Sequence, residues 1–231
     1  MDAAARGKQA AAEAVVALIE SGMRLGLGTG STMVFVIDAI ARRLATDGLR
    51  IVGVPTSERT RAQAERLGIA LTSLADVDAL DLAIDGADEV ATGTLDLVKG
   101  LGGALLREKI IQQAARRFVV VADDSKIVAR LGRRAPLPIE VVPFAHQATA
   151  RAIAGLGVHP ALRLADGTPY RTDNGNLIYD AVGIEAAGPP AALQASLLAI
   201  AGVVETGFFL GVTERAIIGR QDGSCDILFP S

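Results

Sequence analysis

Residues 23–45 read MRLGLGTGSTMVFVIDAIARRLA, and this stretch decides the fold. A short apolar strand runs into glycines 26, 28 and 30, and from Met33 onward the apolar residues return with a 3.6-residue period. The pattern is strand, glycine turn, helix. Outward from it the alternation continues. Gln9 to Ile19 has helical spacing on the N-terminal side. On the other side, LRIVGVPTS (49–57) predicts a strand and a Pro-Thr-Ser turn, ERTRAQAERLG (58–68) a helix stopped by Gly68, and IALTSL (69–74) a further short strand. ALDLAID (79–85) and RFVVVADDS (117–125) complete the series, the latter with the consecutive valines of a strand buried on both faces. Such alternation predicts an α/β fold, a Rossmann-like parallel sheet with helices on both sides.

The second half has another texture. LGRRAPLPIEVVPFA (131–145) carries Pro136, Pro138 and Pro143, which reads as a crossing between domains. HQATARAIAGLG (146–157) is helical, and HPALRLA, PYRTDNG and NLIYDAVG read as short strands with turns at Asp166-Gly167 and Asn174-Gly175. PPAALQASLLAIAG (189–202) opens a helix with two prolines. The apolar tail from Val204 offers strands that return to the first sheet. The expected organisation is a Rossmann-like catalytic domain from residues 1–132 and 206–231, with a smaller α+β domain from 133–205.

Composition narrows the function. Of 231 residues half are hydrophobic and 21% charged, and the net charge is only −3, so nothing favours a nucleic-acid partner. The Ala-rich start lacks a signal-peptide layout and no apolar run reaches membrane-spanning length, so a cytoplasmic protein without a membrane partner is expected. One cysteine, Cys225, and two histidines, His146 and His159, make neither a disulfide nor a zinc cluster and are read as structural.

In a parallel sheet, ligands bind outside the carboxyl ends of the strands. GTGST (28–32), DGADE (85–89) and DDSK (123–126) each follow a predicted strand, so topology should gather them on one edge. The glycine loop, with hydroxyls at Thr29, Ser31 and Thr32 before a helix, suits a phosphate or carboxylate, and would serve equally as a plain tight turn. It is not a Walker A loop, since no Lys follows the last Gly, and the next strand ends in Pro-Thr-Ser where a dinucleotide site would need an acid. DGADE reads as a carboxylate site or as a solvated acidic helix start. KGLGGALLREK (99–109) adds Lys99, a glycine loop able to approach a ligand closely, and Glu108 about one turn into a helix. Glu108 and Lys109 could also form a surface pair, as Arg107, Lys109 and Arg116 are expected to do.

Together GLGTGST, DGADE, KGLGGALLREK and DDSK closely resemble ribose-5-phosphate isomerase of the A type. The likeness extends to LPIEVVPFA (137–145), TDNGN (172–176) and GVVETG (202–207), which covers nearly the whole chain. The resemblance implies an aldose-ketose isomerase, free of metal and cofactor, that interconverts D-ribose 5-phosphate and D-ribulose 5-phosphate and is commonly a homodimer. It places the catalytic base on Glu108. It puts substrate-binding segments on Thr29, Gly30, Ser31 and Thr32, on Asp85, Gly86, Ala87 and Asp88, and on Lys99, Gly100, Leu101 and Gly102. A phosphate-contacting lysine falls on Lys126, and a second on Lys8. Leu101 departs from the Gly or Arg expected of many relatives, and is tolerated if its side chain points away from the sugar.

Proton transfer between C1 and C2 of a sugar needs a base and an oxyanion partner, roles that suit Glu108 and Lys99, with Asp85 and Asp88 holding hydroxyls and passing a proton. Two rivals compete with this reading. A sugar-phosphate-sensing module would bind without turnover and would not need Glu108. An acyl-CoA transferase would use a glutamate nucleophile, for which this chain is short.

Overall fold

The computed structural model describes residues 3–231. In chain order the elements begin with α1 (Ala3–Val16), β1 (Arg24–Leu27), α2 (Ser31–Thr46), β2 (Val52–Pro55), α3 (Glu58–Arg66) and β3 (Leu82–Gly86). There follow β4 (Glu89–Ala91), β5 (Leu97–Val98), α4 (Leu105–Gln113), β6 (Phe118–Asp123), a 3-10 turn at Asp124–Lys126, β7 (Ile127–Val128) and β8 (Leu137–Val141). The remainder is α5 (His146–Ala154), β9 (His159–Leu162), β10 (Leu164–Ala165), β11 (Thr168–Pro169), β12 (Leu177–Val182), α6 (Pro190–Leu198), β13 (Val203–Thr206), β14 (Phe208–Phe209), β15 (Arg215–Gly219) and β16 (Cys225–Leu228).

These elements form two compact units. The first comprises residues up to Ala87, Arg107–Ile127 and Val212–Ser231, and the second Asp88–Leu106 and Val128–Gly211. The contacts therefore divide the chain at other positions than the expected 132/133 and 205/206. Residues 88–106 go with the second unit because β4 and β5 pair with each other and β5 pairs with Phe208–Phe209, a pairing invisible to local periodicity.

In the first unit a six-stranded sheet has the order β16-β15-β6-β3-β1-β2. β1, β2, β3, β6 and β15 are parallel, and β16 closes one edge antiparallel to β15, so the tail does return to this sheet. All residues of β3 and β6 are buried, as strands covered on both faces require. α2 buries Thr32, Met33, Val36, Ile37, Ala39 and Ile40. All of these but Thr32 join Leu25, Leu27, Ile84, Val119, Val121 and Ile217 in one core. Each buried Val, Leu, Ile or Met among them stabilises the unit by about 1.5–3 kcal/mol relative to exposure. IALTSL forms no strand and contributes only an isolated parallel bridge, Gly53 to Leu71.

The second unit holds an antiparallel sheet ordered β13-β8-β12-β9, a small sheet ordered β14-β5-β4-β7, the hairpin β10-β11, and helices α5 and α6. The proline-rich stretch expected to be a crossing supplies β8, a central strand of five buried residues. Proline lacks only a donor, and Pro138 keeps its acceptor, which takes the Gly207 N–H at 2.7 Å. PYRTDNG, beyond Pro169 at the end of β11, is likewise a loop with one bridge, Arg171 to Leu177. Its side chains are used elsewhere. Glu140, fully buried in β8, receives on Oε1 hydrogen bonds from Thr172 Oγ1 at 2.9 Å, Asn174 Nδ2 at 3.2 Å and Asn176 Nδ2 at 2.9 Å. A carboxylate inside a sheet is tolerable only with such donors.

Candidate active site

In the first unit the chain reverses its direction of winding between β1 and β3, so the loops following those strands meet at the switch point of the sheet. Gly28 to Thr32 and Asp85 lie there. Asp85 is 2% exposed, and its Oδ1 accepts from Thr29 N at 2.9 Å and from Gly86 N at 2.7 Å. This carboxylate lies where a Gly28 side chain would be, since a Cβ on Gly28 would come 2.1 Å from Asp85 Oδ1 and 2.6 Å from its Cα. The second glycine of the loop thus exists to admit Asp85.

Thr29 is committed to the protein. Its hydroxyl lies 2.7 Å from Thr56 Oγ1, 2.8 Å from Ser57 Oγ and 3.1 Å from Thr60 Oγ1, and Thr60 Oγ1 donates to Gly28 O at 2.9 Å. Ser57 also caps α3 by accepting from Thr60 N. An unsatisfied buried hydroxyl costs about 1–3 kcal/mol, so this cluster locks the turn after β2 beneath the glycine loop. In the sequence, Pro55-Thr56-Ser57 marks a turn without the acid of a dinucleotide site, and nothing local points to this hydroxyl cluster. The signal that would have found the cluster is the parallel pairing of β1 with β2, which aligns their carboxyl ends.

Gly30, at φ 124°, precedes α2 and offers no side-chain cap, which leaves first-turn N–H groups at a helix start for an anion. Lys8 Nζ donates to Ser31 Oγ at 2.9 Å, so Lys8 stands at this helix start. Lys126 ends the 3-10 turn after β6, on the same sheet edge and two strands from β1, and has no hydrogen-bond or ion-pair partner among the described residues. Glu108, in the first turn of α4, is only 4% exposed, and Lys109 7% exposed, so neither belongs to a solvated surface pair. A carboxylate in the first turn is favoured by the helix dipole. Arg107 and Arg116 behave as expected, pairing with Glu58 at 2.7 Å and Asp81 at 3.7 Å. The Arg107 hydrogen bond holds the Glu58 carboxyl below its ordinary range.

In the second unit Asp88 follows directly on Ala87. Its N–H donates to Val98 O at 2.8 Å, and its Oδ2 accepts from Leu101 N at 2.9 Å, which ties it to the Lys99–Gly102 loop. Lys99 is 2% exposed, with Nζ 5.4 Å from the centre of the Phe209 ring. Gly100 and Gly103 have φ of 106° and 82°, values that glycine adopts freely. Leu101 is 43% exposed. Glu89 is fully buried and accepts from the N–H groups of Gly132, Arg134 and Ala135, so it anchors a loop. His146 Nδ1 lies 2.8 Å from Tyr179 Oη, and burial pushes the Cys225 thiol up, which fits structural roles for both. Among the described residues no three His, Cys, Asp or Glu side chains form a group that could hold a metal ion, and no helix is long and apolar enough to cross a membrane.

What this parallel sheet, with its loops gathered at a switch point, defines is an α/β protein of the class that binds ligands at the carboxyl edge of its strands. Residues 52–223 match the family described as ribose 5-phosphate isomerase A (phosphoriboisomerase A). Ribose-5-phosphate isomerase A of Roseiflexus sp. (strain RS-1) is 52% identical over 97% of this chain and 96% of its own, and that of Gloeobacter violaceus is 50% identical over the same shares. Among solved structures, ribose 5-phosphate isomerase A from Methanocaldococcus jannaschii is 37% identical with a TM-score of 0.90, covering 96% of this chain and 97% of its own. A D-ribose-5-phosphate isomerase in complex with phospho-erythronic acid is 36% identical with a TM-score of 0.91, covering 98% and 99%. The chain belongs to the ribose 5-phosphate isomerase A family. It is an aldose-ketose isomerase of the pentose phosphate pathway, and neither the sensing module nor the acyl-CoA transferase is favoured.

Proposed function

We propose that Glu108 is the general base that moves the proton between C2 of D-ribose 5-phosphate and C1 of the product through an enediolate. The observation that carries this reading is a carboxylate only 4% exposed in the first turn of α4, directly after the Lys99–Gly102 segment in the chain. In the forward direction Glu108 takes the C2 proton, the electrons pass into the C1–C2 bond, and negative charge develops on the carbonyl oxygen. Lys99 and loop amides neutralise that charge. Glu108 then delivers a proton to C1, either the one it took or one gained by exchange with solvent, while the hydroxyl proton passes between O2 and O1. Asp85 and Asp88 hold sugar hydroxyls, Asp85 from the glycine loop and Asp88 from the Lys99 loop. The phosphate is taken by the α2 start, Gly30 to Thr32, with Lys8 and Lys126. The two lysines stand at opposite ends of the row of loops after β1, β3 and β6, and their charge offsets the repulsion between the phosphate and the carboxylates. The enzyme works in the cytoplasm as a homodimer, with no metal and no cofactor.

Glu108→Gln tests the assignment, because it keeps shape and hydrogen bonding but cannot accept the proton. We expect kcat to fall about 100- to 10,000-fold with KM nearly unchanged, in assays run with chelator that leaves the wild-type rate intact. In D2O the wild type should exchange deuterium into the sugar and the variant should not. Near wild-type turnover and exchange in Glu108→Gln would remove Glu108 from the chemistry.

A further inference from the structure

Within the second unit the Lys99–Gly102 loop is held by a residue far from it in sequence. Arg163, between β9 and β10, donates from Nη1 to Gly100 O at 3.0 Å and to Leu101 O at 3.1 Å. Its Nε donates to Asp180 Oδ2 at 2.8 Å and its Nη2 pairs with Asp180 Oδ1, so the guanidinium plane is fixed by a two-point contact with β12. The two side chains are 12% and 22% exposed. The backbone of Arg163 is pinned as well, with N donating to Ile178 O at 2.8 Å and O accepting from Tyr170 N at 2.9 Å. Tyr170 lies beneath the far end of the loop, where a Cβ on Gly103 would come 2.1 Å from its hydroxyl.

The geometry has a stereochemical consequence. In a trans peptide the C=O and the N–H point to opposite sides, and no cis bond occurs among the described residues. With Gly100 O turned to Arg163, the Leu101 N–H points the other way, and there it meets Asp88 Oδ2 at 2.9 Å. With Leu101 O turned to the same guanidinium, the Gly102 N–H must also point away from Arg163. It has no acceptor among the described residues. Two successive amides presented on one side make a concavity suited to negative oxygen, and a cation on their carbonyls polarises both as donors.

We propose that Arg163, fixed by Asp180, is a positioning residue for the isomerisation, and that it aims the Gly102 amide at the oxygen that becomes negative in the enediolate. Leu101 N–H orients Asp88 for the same substrate. This rests on the reading that the Lys99 loop holds the sugar. It assigns to Arg163 a role in the reaction through the loop, without contact with the substrate.

The test compares Arg163→Gly, Arg163→Lys and Lys99→Met with wild type. Arg163→Gly should lower kcat on the order of 10- to 100-fold, and weaken binding of phospho-erythronic acid, while inhibition by inorganic phosphate is kept. Millimolar guanidinium should restore part of the activity, and ammonium at equal ionic strength should not, a response that a merely structural arginine would not give. If the glycine variant does not fold, Arg163→Lys carries the test. A single ammonium cannot serve both carbonyls and the carboxylate, so the same kcat loss and phosphate pattern are expected at an unchanged melting temperature. Wild-type kcat in Arg163→Lys, or a loss that follows the melting temperature and is not rescued, would overturn the proposal. If Lys99→Met also left kcat and phospho-erythronic acid binding intact, the loop reading itself would fail, whereas loss in Lys99→Met alone would sink only the role of Arg163.

Discussion

At the residue scale the glycine loop is shaped by Asp85 more than by its own turn. Gly28 leaves the space into which that carboxylate folds back over the Thr29 and Gly86 amides. Because the predicted clash of a Cβ includes the Asp85 backbone at 2.6 Å, no rotamer change relieves it. Gly28→Ala should therefore displace the loop or β3, and a shift of about 1 Å at a reacting group can cost on the order of 100-fold. The expected result is a kcat/KM reduced by at least about that factor, read against a melting temperature measured on the same preparation. Wild-type kcat/KM in Gly28→Ala would mean that Asp85 does not need its place over the loop.

At the element scale the parallel strands fix which side chains share an edge. β1, β3 and β6 end side by side, so the residues that follow them form one row although the sequence separates them widely. Lys126 stands at the β6 end of that row without a partner among the described residues, and a charge-assisted hydrogen bond to a phosphate contributes on the order of 1.5–3 kcal/mol. Lys126→Ala should raise KM roughly 10- to 100-fold and leave kcat nearly intact in steady-state assays. A collapse of kcat at constant KM would instead put Lys126 at the reacting carbons. Lys8, already on Ser31, adds a second cation at the other end of the row.

At the scale of the whole molecule, acid stability depends on carboxylates whose partners come from distant parts of the chain. Glu214, just before β15, accepts from Arg117 Nε at 2.8 Å, and that hydrogen bond, with those from Arg215, holds its carboxyl below the ordinary glutamate value. A depressed carboxylate contributes its full stability above the unfolded value, and the contribution is lost as pH falls through the folded one. The loss therefore begins below about pH 4.5. Since the pair is about a third exposed, its contribution is that of a screened surface bridge. Glu214→Gln should lower the melting temperature slightly at neutral pH, with a difference that shrinks toward zero on acidification and in high salt. A difference independent of pH would assign the effect to packing.

By itself the sequence determined the alternation that makes a parallel sheet, the glycine turn after β1, and the order of motifs that places loops after strands. Those features are local, written in spacing and in residues with restricted backbones. Tertiary structure decided the rest. Pro138 sits in a central strand because its missing donor is not needed there and Gly207 uses its carbonyl. Thr29 turns inward because Thr56, Ser57 and Thr60 meet it across the β1–β2 pair. Residues 88–106 join the second unit because β5 finds Phe208–Phe209. Arg163 reaches carbonyls 63 and 62 positions away in the chain. Each of these depends on strand pairing or on hydrogen bonds between groups remote in sequence, which no periodicity encodes, because a backbone carbonyl or hydroxyl is the same group wherever it stands until the fold supplies its partner.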